Sequence, residues 1–117
     1  MFVYISGRIT NNENYKEDFE TAVKWLEENG YKPINPARLN DILPTLTYEQ
    51  YMAIDYKLLE LSEAIYMLDG WQKSKGACAE LSYAKSLGKK VLYQDYFKDL
   101  KKAKNNYEIL GVDLAEE

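Results

Sequence analysis

The sequence predicts a single doubly wound α/β domain, with a parallel sheet of about four to five strands flanked by helices. Short β-branched and aromatic runs at Phe2–Ser6, Ala64–Leu68 and Lys90–Tyr93 alternate with longer segments of helical period. The run Ala64-Ile65-Tyr66-Met67-Leu68 is continuously apolar, as a central parallel strand covered on both faces must be. At 117 residues the chain is long enough for one core and has no room for a second.

Composition narrows the chemistry. Hydrophobic residues make up 46% and charged residues 29%, the profile of a globular protein. A net charge of -4 argues against a nucleic-acid backbone binder, which needs a basic face. No apolar run is long enough to span a bilayer, and no basic segment leads into an apolar one at the N-terminus. A cytoplasmic protein with no membrane partner is expected. There are no histidines and one cysteine, Cys78, which removes Ser-His-Asp and Cys-His catalysis, the usual zinc sites and any intrachain disulfide. No metal or cofactor is expected. Carboxylates, Tyr, Lys, Arg and Ser are left to do chemistry.

Phe2–Ser6 stops at Gly7 and reads as a buried first strand. The loop Gly7-Arg8-Ile9-Thr10 follows, with Asn11, Asn12 or Asn14 available to cap a helix. Tyr15, Phe19, Ala22, Val23 and Leu26 share one helical face, and Asn29-Gly30 closes it. Pro33 and Pro36 hold their predecessors out of the α region, so Tyr31–Pro36 should be extended, ending as a strand at Asn35. Ala37–Leu46 shows little period and reads as an irregular, lid-like loop with room for one helical turn.

Thr47 and Gln50 form a capping-box pattern that opens a helix running to about Ser62. Its apolar face collects Tyr48, Tyr51, Met52, Leu58 and Leu59, and Asp55 falls on the same stripe. A carboxylate there is either solvated at the stripe's edge, or paired, or looking into a pocket. A further helix is expected from about Gly76 to Leu87. Another, amphipathic through Phe97, Leu100 and Ala103, is expected from Asp95 to about Asn105.

In such a sheet ligands bind outside the carboxyl ends of the strands. That edge would gather Ser6-Gly7-Arg8, Asn35, Asp69-Gly70-Trp71 and the turn Ser74–Glu80. Ser74-Lys75-Gly76 at a helix start can bind an anion, although a plain N-cap role for Ser74 explains the same pattern. Glu80 is either an ordinary solvated glutamate or, in the company of Asp55, Asp69 and Tyr4, half of a carboxylate pair for glycosyl chemistry. Trp71 can stack on a base or cover the sheet edge. Cys78, roughly opposite Glu80 on its helix, reads as core.

Val3-Tyr4-Ile5-Ser6-Gly7-Arg8-Ile9-Thr10, then Asn35-Pro36-Ala37, then Met67-Leu68-x-Gly70-Trp71-x-x-Ser74-x-Gly76-Ala77-x-x-Glu80, resembles the nucleoside 2-deoxyribosyltransferase-like superfamily. The likeness extends from Phe2 to about Tyr93. It implies the same flavodoxin- or Rossmann-like fold and cleavage of the N-glycosidic bond of (deoxy)nucleosides or their 5′-monophosphates through a covalent glycosyl-enzyme. It places the nucleophile on Glu80, an orienting tyrosine on Tyr4 and a helix-borne aspartate on Asp55. The transferases that act on free nucleosides carry an aspartate six residues before the nucleophile. Here that position is Ser74, as in the nucleoside 5′-monophosphate N-hydrolases, where the serine contacts the phosphate.

The resemblance therefore implies a nucleotide N-glycosidase, with base exchange or non-catalytic nucleotide binding as alternatives. Ser6, Gly7, Arg8, Asp69, Gly70, Trp71, Ser74 and Gly76 would surround the substrate, with Asp69 a candidate proton donor to the base by position only. Family members are usually homo-oligomers, and the same is expected here.

Overall fold

The computed structural model describes residues 1–94 of the chain. It is an α/β domain with a four-stranded, all-parallel sheet: β1 (Phe2–Ser6), β2 (Lys32–Ile34), β3 (Ala64–Met67) and β4 (Lys90–Tyr93), in the order β2-β1-β3-β4. Four helices flank it: α1 (Tyr15–Glu28), α2 (Leu39–Ile42), α3 (Tyr48–Glu60) and α4 (Lys75–Ser86). The helix expected from Asp95 and the tail after it lie outside the described residues.

Strand alternation sorts the core into two layers. Val3 and Ile5 point to one face of the sheet, where they meet Phe19, Ala22, Val23 and Leu26 of α1. Tyr4, Ile65 and Met67 point to the other, against Leu59 of α3 and Ala77, Leu81 and Ala84 of α4. The central strands β1 and β3 are covered on both sides, which is why Ala64–Met67 is apolar at every position.

The capping box at α3 forms as its sequence predicts. Thr47 Oγ1 accepts from the Gln50 amide at 3.1 Å and the Gln50 side chain accepts from the Thr47 amide at 2.9 Å. Asn14 occupies the N-cap position of α1 without a side-chain cap bond; Asn12 instead accepts from the Asn14 amide at 3.1 Å. β2 is short because Asn35 leaves the sheet, its side chain accepting from the Ala37 amide at 3.0 Å. That bond starts a 3₁₀ turn, Pro36–Arg38, which runs into α2. The lid-like segment is thus more ordered than its period suggests.

Cys78 corrects an expectation: it is exposed. The inward stripe of α4 is Ala77, Glu80, Leu81 and Ala84, and at 3.6 residues per turn position 78 falls to one side of it. Its sulfur lies instead near the carbonyl oxygens of Trp71 and Gln72, at 3.8 and 3.7 Å. Among the described residues no helix is long and apolar enough to cross a membrane.

Candidate active site

The chain leaves β1 to cover one face of the sheet and leaves β3 to cover the other. The switch point between these neighbouring strands is where a doubly wound sheet opens a crevice. A cavity of about 320 Å³ lies there, within the range of small-molecule sites. The loop after β1 and the segment through Pro36 and Asn40 form one wall, and α3 and the start of α4 form the other.

Glu80 lines this cavity and is only 5% exposed. Tyr4 and Ser6 sit two apart on β1 and so face the same side of the sheet. The Tyr4 hydroxyl donates to Glu80 Oε2 at 2.5 Å, and the Ser6 hydroxyl donates to Oε1 at 2.6 Å. Both carboxyl oxygens are therefore held by the strand beneath them. Asp55 of α3 lines the same cavity, and its Oδ1 is buried with no hydrogen-bond partner.

Burial dominates the electrostatics. It pushes Glu80 up to about 8, with the negative charge of Asp55 adding to the rise and the Ser6 and Tyr4 hydroxyls opposing it. Burial likewise pushes Asp55 up to about 6, against the pull of neighbouring Glu80 and Tyr4. Two carboxyls this close titrate as a pair, so the pair retains one proton around neutrality. The higher value falls on Glu80, but the two steps belong to the pair: donated bonds on both Glu80 oxygens favour its ionised form, while the bare Oδ1 makes Asp55 the better seat for the shared proton. The Tyr4 hydroxyl is raised well above the usual tyrosine range, first by burial and then by the two carboxyls. It stays protonated and keeps donating.

The start of α4 supplies a second kind of wall. Ser74 Oγ accepts from the Ala77 amide at 3.1 Å, so it is an N-cap, and it also lines the cavity. Gly76 lines it too, and a methyl there would meet Met52 and Tyr48 at ordinary distances of 3.6 and 3.8 Å. Gly7 is different: a Cβ would come within 2.8 Å of Leu68 Cδ1 and 2.9 Å of Leu68 Cβ, so only glycine lets the loop turn this tightly over β3.

The structure brings together Tyr4, Ser6, Gly7, Asp55, Ser74, Gly76 and Glu80. Ser6 lies beneath the cavity and holds Glu80. Arg8, Asp69, Gly70 and Trp71 do not line it. Arg8 Nε donates to the Thr10 carbonyl at 3.2 Å. Asp69 is exposed, and its amide donates to the Gln94 side chain at 2.8 Å. Gly70 takes a left-handed turn at φ 82°, and the Trp71 ring lies 6.1 Å from that of Tyr93. Asn35 is spent on Ala37 and on Glu20.

Sequence reasoning left out Thr10, Asn40, Tyr48, Tyr51 and Met52, which also line the cavity. For the last three a signal existed: they lie seven, four and three positions before Asp55, on its helical face. Asn40 carried no such signal. Among the described residues no three acidic or cysteine side chains gather as a metal would require.

Comparison with curated proteins gives no match. The family model that does match covers residues 1–93 and therefore every element of the cavity, so the chain belongs to the family described as a domain of unknown function, DUF4406.

Proposed function

We propose that the protein is an N-glycosidase acting on (deoxy)nucleoside 5′-monophosphates, with Glu80 as nucleophile. The observation that carries this reading is the Glu80 carboxyl, buried in a ligand-sized cavity, held by Tyr4 and Ser6 and sharing that cavity with Asp55. A burial this costly is hard to explain in a module that only binds.

In this reading a Glu80 oxygen attacks C1′ while the bond from C1′ to the base nitrogen breaks. The bonding pair leaves with the base, which takes up a proton, and the one retained by the carboxyl pair is at hand for it. Water then attacks C1′ of the glycosyl ester and gives its proton to the carboxyl pair, which had passed one to the base; the C1′–Oε bond breaks, restoring the Glu80 carboxylate and releasing (deoxy)ribose 5-phosphate. The negative carboxylate also stabilises the oxocarbenium character of both transition states. Ser74 and Gly76, at the positive end of α4, would hold the phosphate.

Release of free base from a panel of ribo- and deoxyribonucleoside 5′-monophosphates tests the reading. Cleavage by the wild type and a loss of several orders of magnitude in Glu80→Gln are expected. Base exchange in the presence of a second base would identify a deoxyribosyltransferase instead. No cleavage of any substrate would end the enzymatic reading.

A further inference from the structure

We infer that Asn40 is the residue that reads the base, an assignment that rests on the nucleotide hydrolase reading of the same cavity. One part of the cavity lies against the start of α4, the other against the segments that follow β1 and β2. Ser74, Gly76 and Tyr48 converge at the first: a methyl placed on Gly76 would be 3.8 Å from Tyr48 Cε2 and 3.9 Å from Ser74 Oγ. In that reading the phosphate sits there and C1′ lies over Glu80, which leaves the base the walls away from Ser74 and Gly76. Ile9, Thr10, Pro36 and Asn40, from the segments that follow β1 and β2, form one such wall.

That wall suits a neutral heterocycle. Ile9 and Pro36 offer apolar surface, and no charged side chain is among the four. Asn40 presents a donor and an acceptor side by side, and its side chain makes no hydrogen bond among the described residues. A carboxamide pairs with any base edge that sets a donor beside an acceptor, such as the amino group and ring nitrogen of adenine.

The backbone around Asn40 is tied to its neighbours from outside the cavity. Lys16 of α1 bonds the next residue, Asp41, at 2.7 Å. Arg38 bonds Glu20 of α1 through Nη2 at 2.7 Å. The Tyr51 hydroxyl of α3 donates to the Leu43 carbonyl at 2.5 Å. These ties flank a four-residue helix that buries none of its own side chains. They connect this short element to α1 and α3.

The test measures kcat/KM for base release across the four common ribo- and four deoxyribonucleoside 5′-monophosphates, with Kd for ribose 5-phosphate as the base-free control. Asn40→Ala should lower kcat/KM for the preferred nucleotide by about tenfold to a hundredfold and narrow the ranking among bases. Its Kd for ribose 5-phosphate should not change. Asn40→Asp, which can only accept, should shift preference toward guanine, whose N1–H and N2–H present adjacent donors. An unchanged ranking in both variants, with an active wild type, would overturn the base-reading role and leave the hydrolase standing. Equal weakening of ribose 5-phosphate binding would also overturn it. A wild type that neither cleaves nor binds any of the nucleotides would overturn both.

Discussion

The Tyr4 hydroxyl and the Glu80 carboxyl, 76 positions apart in the sequence, meet at 2.5 Å in the floor of the cavity. Neither group has a bulk-water alternative, since Tyr4 is fully buried and Glu80 nearly so. The bond therefore serves both the fold and the site. Tyr4→Phe should destabilise the domain by about 1–3 kcal/mol, because it leaves a buried carboxyl oxygen without its donor. It should also slow base release. Ser6→Ala removes the donor on the other oxygen and should act in the same direction. Urea midpoints alongside kcat/KM would check both effects, and a Tyr4→Phe protein as stable as wild type would show the bond to be energetically idle.

Stability should fall as pH rises. Glu80 and Asp55 have ordinary values near 4.5 and 3.8, and the fold raises them to about 8 and about 6. Between about 4 and about 8 the folded state thus binds more protons than the unfolded one, so stability declines with pH and levels off above that window. Glu80→Gln should flatten the decline and exceed wild type in stability at pH 8 and above. Thermal midpoints from pH 5 to 9 would decide this; a wild-type curve flat across the range would contradict it.

Activity should follow a bell-shaped pH profile. If the proposed glycosidase works with one proton on the carboxyl pair, the acid limb reflects loss of the first proton near 6 and the alkaline limb loss of the second near 8. Asp55→Asn should lower the rate and abolish the alkaline limb, because no retained proton is left to lose. A profile with both limbs intact in that variant would assign the alkaline limb to another group.

Two glycines of the site should respond differently to alanine. Gly7→Ala forces a methyl to within 2.9 Å of the Leu68 side chain and should cost about 1–3 kcal/mol in denaturant unfolding. Gly76→Ala meets only ordinary contacts and should leave stability nearly unchanged. Its methyl projects beside the cavity wall and should weaken nucleotide binding. Equal destabilisation by the two substitutions would contradict the geometry.

Substitutions at Ser74 can separate its capping role from the proposed phosphate recognition. Ser74→Ala removes the N-cap of α4 and should cost about 0.5–2 kcal/mol. Ser74→Asp keeps a good cap but brings a negative charge to the proposed phosphate end. Stability should survive while cleavage of monophosphates falls relative to that of free nucleosides. Comparing the two substrates in this variant checks the assignment, and undiminished monophosphate preference would remove Ser74 from the phosphate site.

Much of this was legible in the chain itself, because it depends on neighbours in sequence. The alternation of apolar runs with helical periods set the order of elements, and the described strands pair in parallel as that order requires. The Thr47–Gln50 box and the Ser74 cap are bonds between residues three positions apart, within reach of a local rule. Asp55 stood out for the same reason, as a carboxylate on an apolar stripe.

Tertiary structure alone decided what that stripe faces. No local rule says that Glu80 turns into the sheet onto Tyr4 and Ser6 while Cys78, two residues earlier, turns out to solvent. That depends on how α4 is rotated against β1 and β3, which packing of Ala77, Leu81 and Ala84 settles. Asn40 reaches the cavity wall on a four-residue helix tied to α1 through Asp41 and to α3 through Leu43. Arg8, Asp69 and Trp71, close to the site in sequence, fall away from it because Arg8 bonds its own loop and the turn at Gly70 carries the chain to the β4 side. Periodicity fixes which residues share a face; only packing fixes where that face points.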